Sequence, residues 1–119
     1  PKFNRPSGNG QFIIADPGPH DNVGGWIIPQ LQFEMLCLGP KCTHAILVSC
    51  TGLRGANLIL VERDDVLISK MLRFSAYFIQ LFVEKRQTPP VNFFPQCLPK
   101  HEKESYKSLI ADIKRVGRN

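Results

Sequence analysis

The sequence predicts an α/β domain in which an antiparallel hairpin is flanked by helices. Two apolar runs, 44–50 and 57–63, have the composition of strands, and a short glycine-containing turn joins them. So short a connection favours antiparallel pairing. The segment 65–86 carries apolar residues at helical spacing. A chain of 119 residues, 43% hydrophobic and 21% charged, has the composition of an ordinary globular domain.

Proline and glycine residues set the ends of the predicted elements in the first half of the chain. Residues 1–10 are rich in Pro, Gly and Asn and are predicted to form a loop. The apolar run 11–15 is consistent with a buried strand, which Pro17 would end. Residues 29–38 suit a helix, because proline is tolerated in the first turn and the apolar residues recur at helical spacing. Gly39 then ends that helix.

The two hairpin strands are apolar on both faces. Residues 45–48 and 58–61 contain no polar side chain. Strands of this kind are typical of sheet interiors that are covered on both sides. The pattern therefore predicts a layered arrangement with helices above and below the hairpin.

The later helices have separate signals. Asp64 is predicted to cap the helix 65–86, since a carboxylate accepts from the first free amides. Residues 100–119 are predicted to form a basic amphipathic helix that closes at Gly117 and extends a domain covering 1–99. The apolar face of this extension consists of Tyr106, Leu109, Ile110 and Ile113.

The cysteine spacing and the hydropathy pattern indicate which kinds of site and segment the sequence does not contain. The spacing of the four cysteines, Cys37, Cys42, Cys50 and Cys97, fits no usual zinc knuckle, so buried free thiols are predicted. No apolar run approaches the length of a membrane span, and the N-terminus does not resemble a signal peptide. We therefore expect an intracellular protein, nuclear or cytoplasmic, without a membrane partner.

The charge balance favours a polyanionic partner. The net charge is +5 and the isoelectric point is near 9.3, which makes DNA a plausible partner. Much of the excess lies near the C-terminus. The candidate nucleic-acid-binding residues are Lys41, Arg54, Lys100, Lys103, Lys107, Lys114 and Arg115.

Two short motifs lie at the ends of predicted elements. Gln30-Leu31-Gln32 begins the first helix, with Met35 after it, and Val61-Glu62-Arg63-Asp64 ends the second hairpin strand. Over about residues 11–86 the chain resembles nucleases of the YqaJ/lambda-exonuclease type, in the PD-(D/E)XK superfamily. The resemblance implies a partial restriction-endonuclease-like fold with a central mixed sheet. It also implies metal-dependent hydrolysis of DNA phosphodiester bonds, with Mg²⁺ or Mn²⁺.

The resemblance assigns Gln30 and Gln32 an auxiliary catalytic role. An amide side chain donates and accepts hydrogen bonds, so it can orient water or phosphate without adding charge. Residues two apart on a helix do not share a face. Only one of the two glutamines is therefore expected to point at the site, and the resemblance favours Gln32.

The chain departs from the family where the metal ligands are expected. The Glu-x-Lys strand of the family aligns with residues 12–17, so that Ile13 stands in place of glutamate and Ala15 in place of lysine. The upstream aspartate has no counterpart, and we assign no metal ligand. Either the catalytic carboxylates lie outside this chain, in a companion chain or an upstream segment, or the chain is a degenerate homologue that binds nucleic acid or protein. Without the resemblance, a third hypothesis is an interaction protein whose helix 65–86 docks a partner helix.

Overall fold

The protein is a mixed α/β protein. The computed structural model describes residues 17–118, together with the backbone of residues 4–6 and 12–14. Two short π-helical turns, Ile79–Val83 and Phe93–Cys97, accompany the regular elements. In chain order these elements are β1 (Asn4–Pro6), β2 (Phe12–Ile14), α1 (Ile28–Leu38), β3 (His44–Thr51), β4 (Gly55–Glu62), α2 (Asp65–Phe78) and α3 (Lys100–Arg118).

The N-terminal strands form a small hairpin. β1 and β2 pair antiparallel, with Asn4 opposite Ile14. The strand predicted over 11–15 is thus confirmed at 12–14, whereas the loop predicted over 1–10 is wrong at 4–6. β1 tolerates Pro6 because each strand of a two-stranded sheet is an edge strand, where one side of the strand needs no backbone donor.

Helix α1 begins and ends where its local sequence indicates. Pro29 occupies the first turn, where an N–H is not needed. Gly39 follows the helix with a φ of 100°, a conformation that glycine adopts readily, and its N–H donates to the carbonyl of Leu36. The predicted helix over 29–38 is confirmed.

Strands β3 and β4 form the antiparallel hairpin that the sequence predicts. Their pairing runs from His44 opposite Glu62 to Thr51 opposite Gly55. Gly55 has a φ of 87°, which a residue with a side chain rarely adopts. Within the described residues, β3 and β4 pair only with each other, and no central mixed sheet joins them to β1 and β2.

The two faces of the β3–β4 hairpin have different surroundings. The inner face packs on the core through Ala45, Leu47, Ile59 and Val61. The outer hairpin face, which we define by its apolar residues, is uncovered by the described residues, and each of its side chains is more than half exposed. It consists of Ile46, Val48, Leu58 and Leu60. Within the described residues the prediction of cover on both sides is therefore wrong for this face, because the described helices pack on the inner side.

The long helix after the hairpin is also confirmed. The side chain of Asp64 accepts from the N–H of Leu67, and α2 continues through the first π-helical turn to Val83. Among residues 17–118, the run Asp65–Val83 is long and apolar enough by composition to cross a membrane, contrary to our expectation from the sequence. In the fold, Met71 and Phe74 of this helix lie in the core.

Helix α3 packs into the same core as the rest of the described chain. Leu109 and Ile113 are buried together with residues of α1 and α2. Gly117 does not end the helix as predicted. A Cβ at this position would lie 2.5 Å from the carbonyl oxygen of Val23, whose N–H donates to the carbonyl of Gly117. The glycine therefore serves close packing against the loop before α1.

Candidate functional site

Gln32 is the centre of the region that contains both motifs. Its side chain is fully buried. Its Nε2 donates to the carbonyl of Glu62 at 2.9 Å, and its Oε1 accepts from the N–H of Asp64 at 2.9 Å. A neutral amide suits this place because it satisfies a backbone donor and a backbone acceptor at once. The side chain consequently fastens α1 to the end of β4.

Gln30 lies on the other side of α1. It is exposed, and its Nε2 donates to Glu34 one helical turn later, at 2.8 Å. The two glutamines thus lie on different sides of α1, as their spacing of two residues requires, and which of them points at a catalytic site stays a prediction. The inward residue is Gln32, whose carbonyl oxygen and one N–H are occupied by the backbone of the protein itself.

Arg63 joins β4 to the end of α1. Only 12% of its side chain is exposed. Its Nη1 donates to the carbonyls of Met35 and Gly39, at 3.0 and 2.9 Å, and its Nε donates to Asp65 at 2.7 Å. The last carbonyls of a helix have no partner within it and carry partial negative charge. The guanidinium supplies both the missing donors and the complementary charge.

Asp64 connects α2 to α3. One carboxylate oxygen caps α2, and the other accepts from Nη2 of Arg115 at 3.2 Å. We call the group Gln32, Arg63 and Asp64 the motif junction. Each of its members binds atoms of another element, so the junction joins α1, β4, α2 and α3 at one point.

An open cavity of about 560 Å³ borders the motif junction. Its charged lining includes Glu62 and Asp65 as well as Arg63 and Arg115. Carboxylate and guanidinium groups therefore both line it. Within residues 17–118, no group of three or more His, Cys, Asp or Glu side chains is placed to hold a metal ion. The residues described here do not supply the ligand set that a Mg²⁺ or Mn²⁺ site requires.

A continuous line of cations runs along α3. Its members follow one another at spacings of three, four, seven and four residues, which places them on one side of a helix. All are exposed except Lys103, which is half-buried, and Lys107 pairs with the exposed Glu104 at 3.0 Å. At the α-helical rise this line is about 27 Å long. We call it the basic stripe: Lys100, Lys103, Lys107, Lys114 and Arg118.

The remaining predicted DNA-binding residues lie elsewhere. Arg115 turns away from the basic stripe towards Asp64. Lys41 is exposed just after α1, and Arg54 is exposed in the hairpin turn, where its N–H donates to Thr51. The structure thus brings together four of the predicted lysines and adds Arg118. Helical periodicity applied to the whole C-terminal segment would have found Arg118.

Two of the three acidic residues of α3 face α2, and the third, Glu104, pairs with Lys107 of the basic stripe. Asp112 forms an ion pair with Lys70, and Glu102 forms one with Arg73 at 2.6 Å. Pairing on the inner side holds α3 against α2. Positive charge therefore accumulates on the outer side of the helix.

The cysteines are free but not mainly buried. Cys37, Cys50 and Cys97 are exposed, and Cys42 is half-buried with its Sγ 3.7 Å from the carbonyl of His44. The prediction of buried thiols is wrong for the three exposed residues. Cys50 illustrates the reason, because it lies on the outer side of the hairpin, which the described residues leave open.

The strand aligned with Glu-x-Lys is described only in part. Ile13 lies in β2, opposite Arg5, and its backbone alone is described. Ala15 lies outside the described residues. The side-chain environment at the place of the family's glutamate and lysine is therefore not part of the site described above.

Comparison of the chain with protein-family models, with curated proteins and with solved structures found no match.

Proposed function

We propose that the chain is the later part of a metal-dependent DNA nuclease of the exonuclease or recombinase type, with a restriction-endonuclease-like fold. Phosphodiester hydrolysis would use carboxylates supplied from outside this chain. The observation that carries the proposal is the contact of Gln32 with Glu62 and Asp64. It joins the two short motifs on which the resemblance to YqaJ/lambda-exonuclease nucleases rests.

In this proposal the two glutamines have different roles. Gln32 is a positioning residue, because its amide holds the start of α1 against the end of β4. Gln30 is exposed, and among the described residues its side chain donates to the exposed carboxylate of Glu34. Its amide is free to exchange that partner for a phosphate oxygen or a water molecule of the substrate complex.

The basic stripe supplies the DNA contact. Cations on one exposed side of a helix bind the phosphate backbone without reading sequence, and they release counterions on binding. Its length of about 27 Å, at the α-helical rise, is sufficient to follow a backbone over several phosphates. Mg²⁺ or Mn²⁺ enters only with carboxylates from a companion chain, a second copy or an upstream segment. Such a protein would act inside the cell, in the nucleus or the cytoplasm.

DNA binding is tested by fluorescence anisotropy with a labelled linear duplex of about 20 base pairs, a site large enough for one such protein. We expect log affinity to fall with log salt at a slope of about −0.9 for each phosphate neutralised. The double variant Lys107→Glu/Lys114→Glu should weaken binding about tenfold or more. Lys85→Glu/Arg86→Glu changes the same charge at exposed residues outside the stripe and should bind more tightly than the stripe variant. Equal loss in both variants, or affinity independent of salt, would contradict the stripe as the DNA contact.

Catalysis is tested with the chain alone, a linear duplex, and either Mg²⁺ or Mn²⁺. We expect no digestion, because the carboxylates are proposed to lie elsewhere. Metal-dependent digestion by the purified chain, abolished by EDTA, would show that the acidic centre lies within it and would overturn that part of the proposal.

A catalytically degenerate module is the second candidate, and the motif junction favours it. Gln32, Arg63 and Asp64 all bind other parts of this chain, which leaves few of their polar atoms for chemistry. Reading the gene upstream of Pro1 separates the two candidates. An aspartate followed by a Glu-x-Lys strand would support the nuclease. If the upstream sequence lacks both and no companion chain supplies them, the result would support a module that binds nucleic acid or protein.

A further inference from the structure

An apolar cavity of about 450 Å³ lies between the three larger helices. α1 contributes Phe33, α2 contributes Phe74 and Phe78, and α3 contributes Leu109 and Ile113. Its volume is within the range of pockets that hold small ligands, roughly 300–1,000 Å³. The lining is almost entirely hydrocarbon, so the cavity favours an apolar group over water.

A second cavity of about 420 Å³ adjoins the first. Phe94, Tyr106 and Ile110 line both cavities. The second cavity differs because three lysines of the basic stripe stand at its edge. They are Lys103, Lys107 and Lys114. The apolar cavity thus adjoins a cavity whose lining carries positive charge.

The Phe94 ring at the boundary is already stacked on two neighbouring rings. Phe94 is stacked on Tyr106, with ring centroids 5.5 Å apart, and on Phe78, with centroids 5.9 Å apart. A base binds an aromatic side chain through an open ring face. The lining consists mainly of aromatic and aliphatic side chains, which suit an alkyl chain.

We propose that the paired cavities bind a free single-chain anionic amphiphile of the fatty-acid class, an activity beyond the proposed nuclease function. The alkyl chain lies in the apolar cavity, and the carboxylate lies in the second cavity, whose lining includes Lys103 and Lys114. These two lysines form no ion pair with a described residue, whereas Lys107 is held by Glu104. A charge-assisted hydrogen bond to the carboxylate orients the ligand, and burial of the chain provides the affinity.

The first experiment is calorimetric titration of the chain with sodium laurate below its micelle concentration, alongside shorter homologues. We expect saturable binding whose affinity rises about fourfold for each added methylene. Lauryl alcohol, which lacks the charge, should bind more weakly. Equal affinity along the homologous series, or for the acid and the alcohol, would overturn the proposal.

Charge reversal separates this site from the DNA contact. Lys103→Glu/Lys114→Glu should weaken laurate binding about tenfold. Lys100→Glu/Arg118→Glu makes the same charge change on the same stripe, away from the cavity, and should leave laurate binding unchanged. Both doubles should weaken DNA binding. Equal effects of the two doubles on laurate would contradict a specific carboxylate site, whatever happens to DNA.

A steric variant tests the apolar cavity without altering charge. Ser75 is exposed at the cavity edge, and Ser75→Trp should fill the cavity and abolish laurate binding. Ala76→Trp, at the next exposed position and outside the cavity lining, is the control. Circular dichroism establishes that each variant is folded, and the charge variants decide the question if one is not. Binding to anionic phosphatidylglycerol vesicles without binding of monomeric laurate would overturn the proposal in favour of a membrane surface.

Discussion

The motif junction and the basic stripe use polar side chains in opposite ways. At the junction, Gln32, Arg63 and Asp64 are directed at backbone atoms of neighbouring elements and are largely withdrawn from solvent. Along the stripe, most cations are exposed and form no ion pair with a described residue, apart from Lys107 with Glu104. The residues that form recognisable short motifs therefore hold the fold together. The region without a recognisable motif presents the charge.

The physical difference lies in what each side chain leaves behind when it is removed. Removing a buried side chain of the junction leaves a backbone donor or acceptor without a hydrogen bond. This destabilises the fold by more than the hydrogen bond had stabilised it. A lysine taken from the stripe leaves only water in its place. Stability should accordingly respond to the junction, and affinity for anions should respond to the stripe.

The largest effect is expected at Gln32. Gln32→Leu keeps the volume but leaves the carbonyl of Glu62 and the N–H of Asp64 without partners. We expect the free energy of unfolding to fall by about 3 kcal/mol, measured by urea denaturation. Gln30→Leu, two residues away on the exposed side, is the control and should change stability little. Similar losses in the two variants would contradict the structural role of the buried amide.

A smaller loss is expected at Gly117, where α3 meets the loop before α1. The methyl group of Gly117→Ala would meet the carbonyl oxygen of Val23, so the two segments must separate. We expect a loss of about 2 kcal/mol, measured by thermal denaturation. Gly52→Ala is the matched control, since its methyl group has open space. Unchanged stability of Gly117→Ala would mean that α3 does not approach the loop this closely.

Arg115 tests the boundary between the two regions, because it belongs to basic α3 but contacts the junction. Arg115→Ala removes the contact with Asp64. More than half of the arginine side chain is exposed, so solvent screens the pair and we expect a loss of only about 0.5 kcal/mol. DNA affinity should fall less than in Lys114→Ala, measured by the same anisotropy assay. The reverse order would place Arg115 in the DNA contact.

The smallest effect on stability is expected in the stripe. Lys107→Glu/Lys114→Glu should leave the melting temperature nearly unchanged while weakening DNA binding. Lys107→Glu replaces the exposed ion pair with Glu104 by a like-charge pair, and exposed charge pairs change stability little. A large drop in melting temperature would show that the stripe is structural and would remove the contrast between the two regions.

Local sequence signals predicted the elements well where the cause was local. Pro29 in the first turn of α1, Asp64 as the cap of α2 and the short turn between β3 and β4 were all confirmed. Each depends on backbone geometry within a few residues. The resemblance to YqaJ/lambda-exonuclease nucleases covers longer distances and stays a prediction.

The incorrect predictions concern burial, which depends on whether a distant segment of the chain covers the residue. Ile46 and Leu58 have the composition of buried strand residues, yet the described part of the chain leaves them exposed. Cys50 is exposed for the same reason, because it lies on the outer side of the hairpin. A strand pattern specifies which residues share a face, but not whether another layer covers that face.

The same distinction between local and long-range contacts applies to the candidate site. The sequence named four of the stripe lysines as candidates, and helical periodicity is sufficient to place them on one side of α3, because spacing determines which side chains are neighbours on a helix. It could not show that Arg115 turns to Asp64 or that Gln32 binds the end of β4, since those partners are 51 and 32 residues away along the chain. Sequence by itself determined the helices, the hairpin and the charge of α3, which arise from interactions between near neighbours. Tertiary structure decided which polar groups are used internally and which remain for a ligand, because that depends on contacts between distant segments.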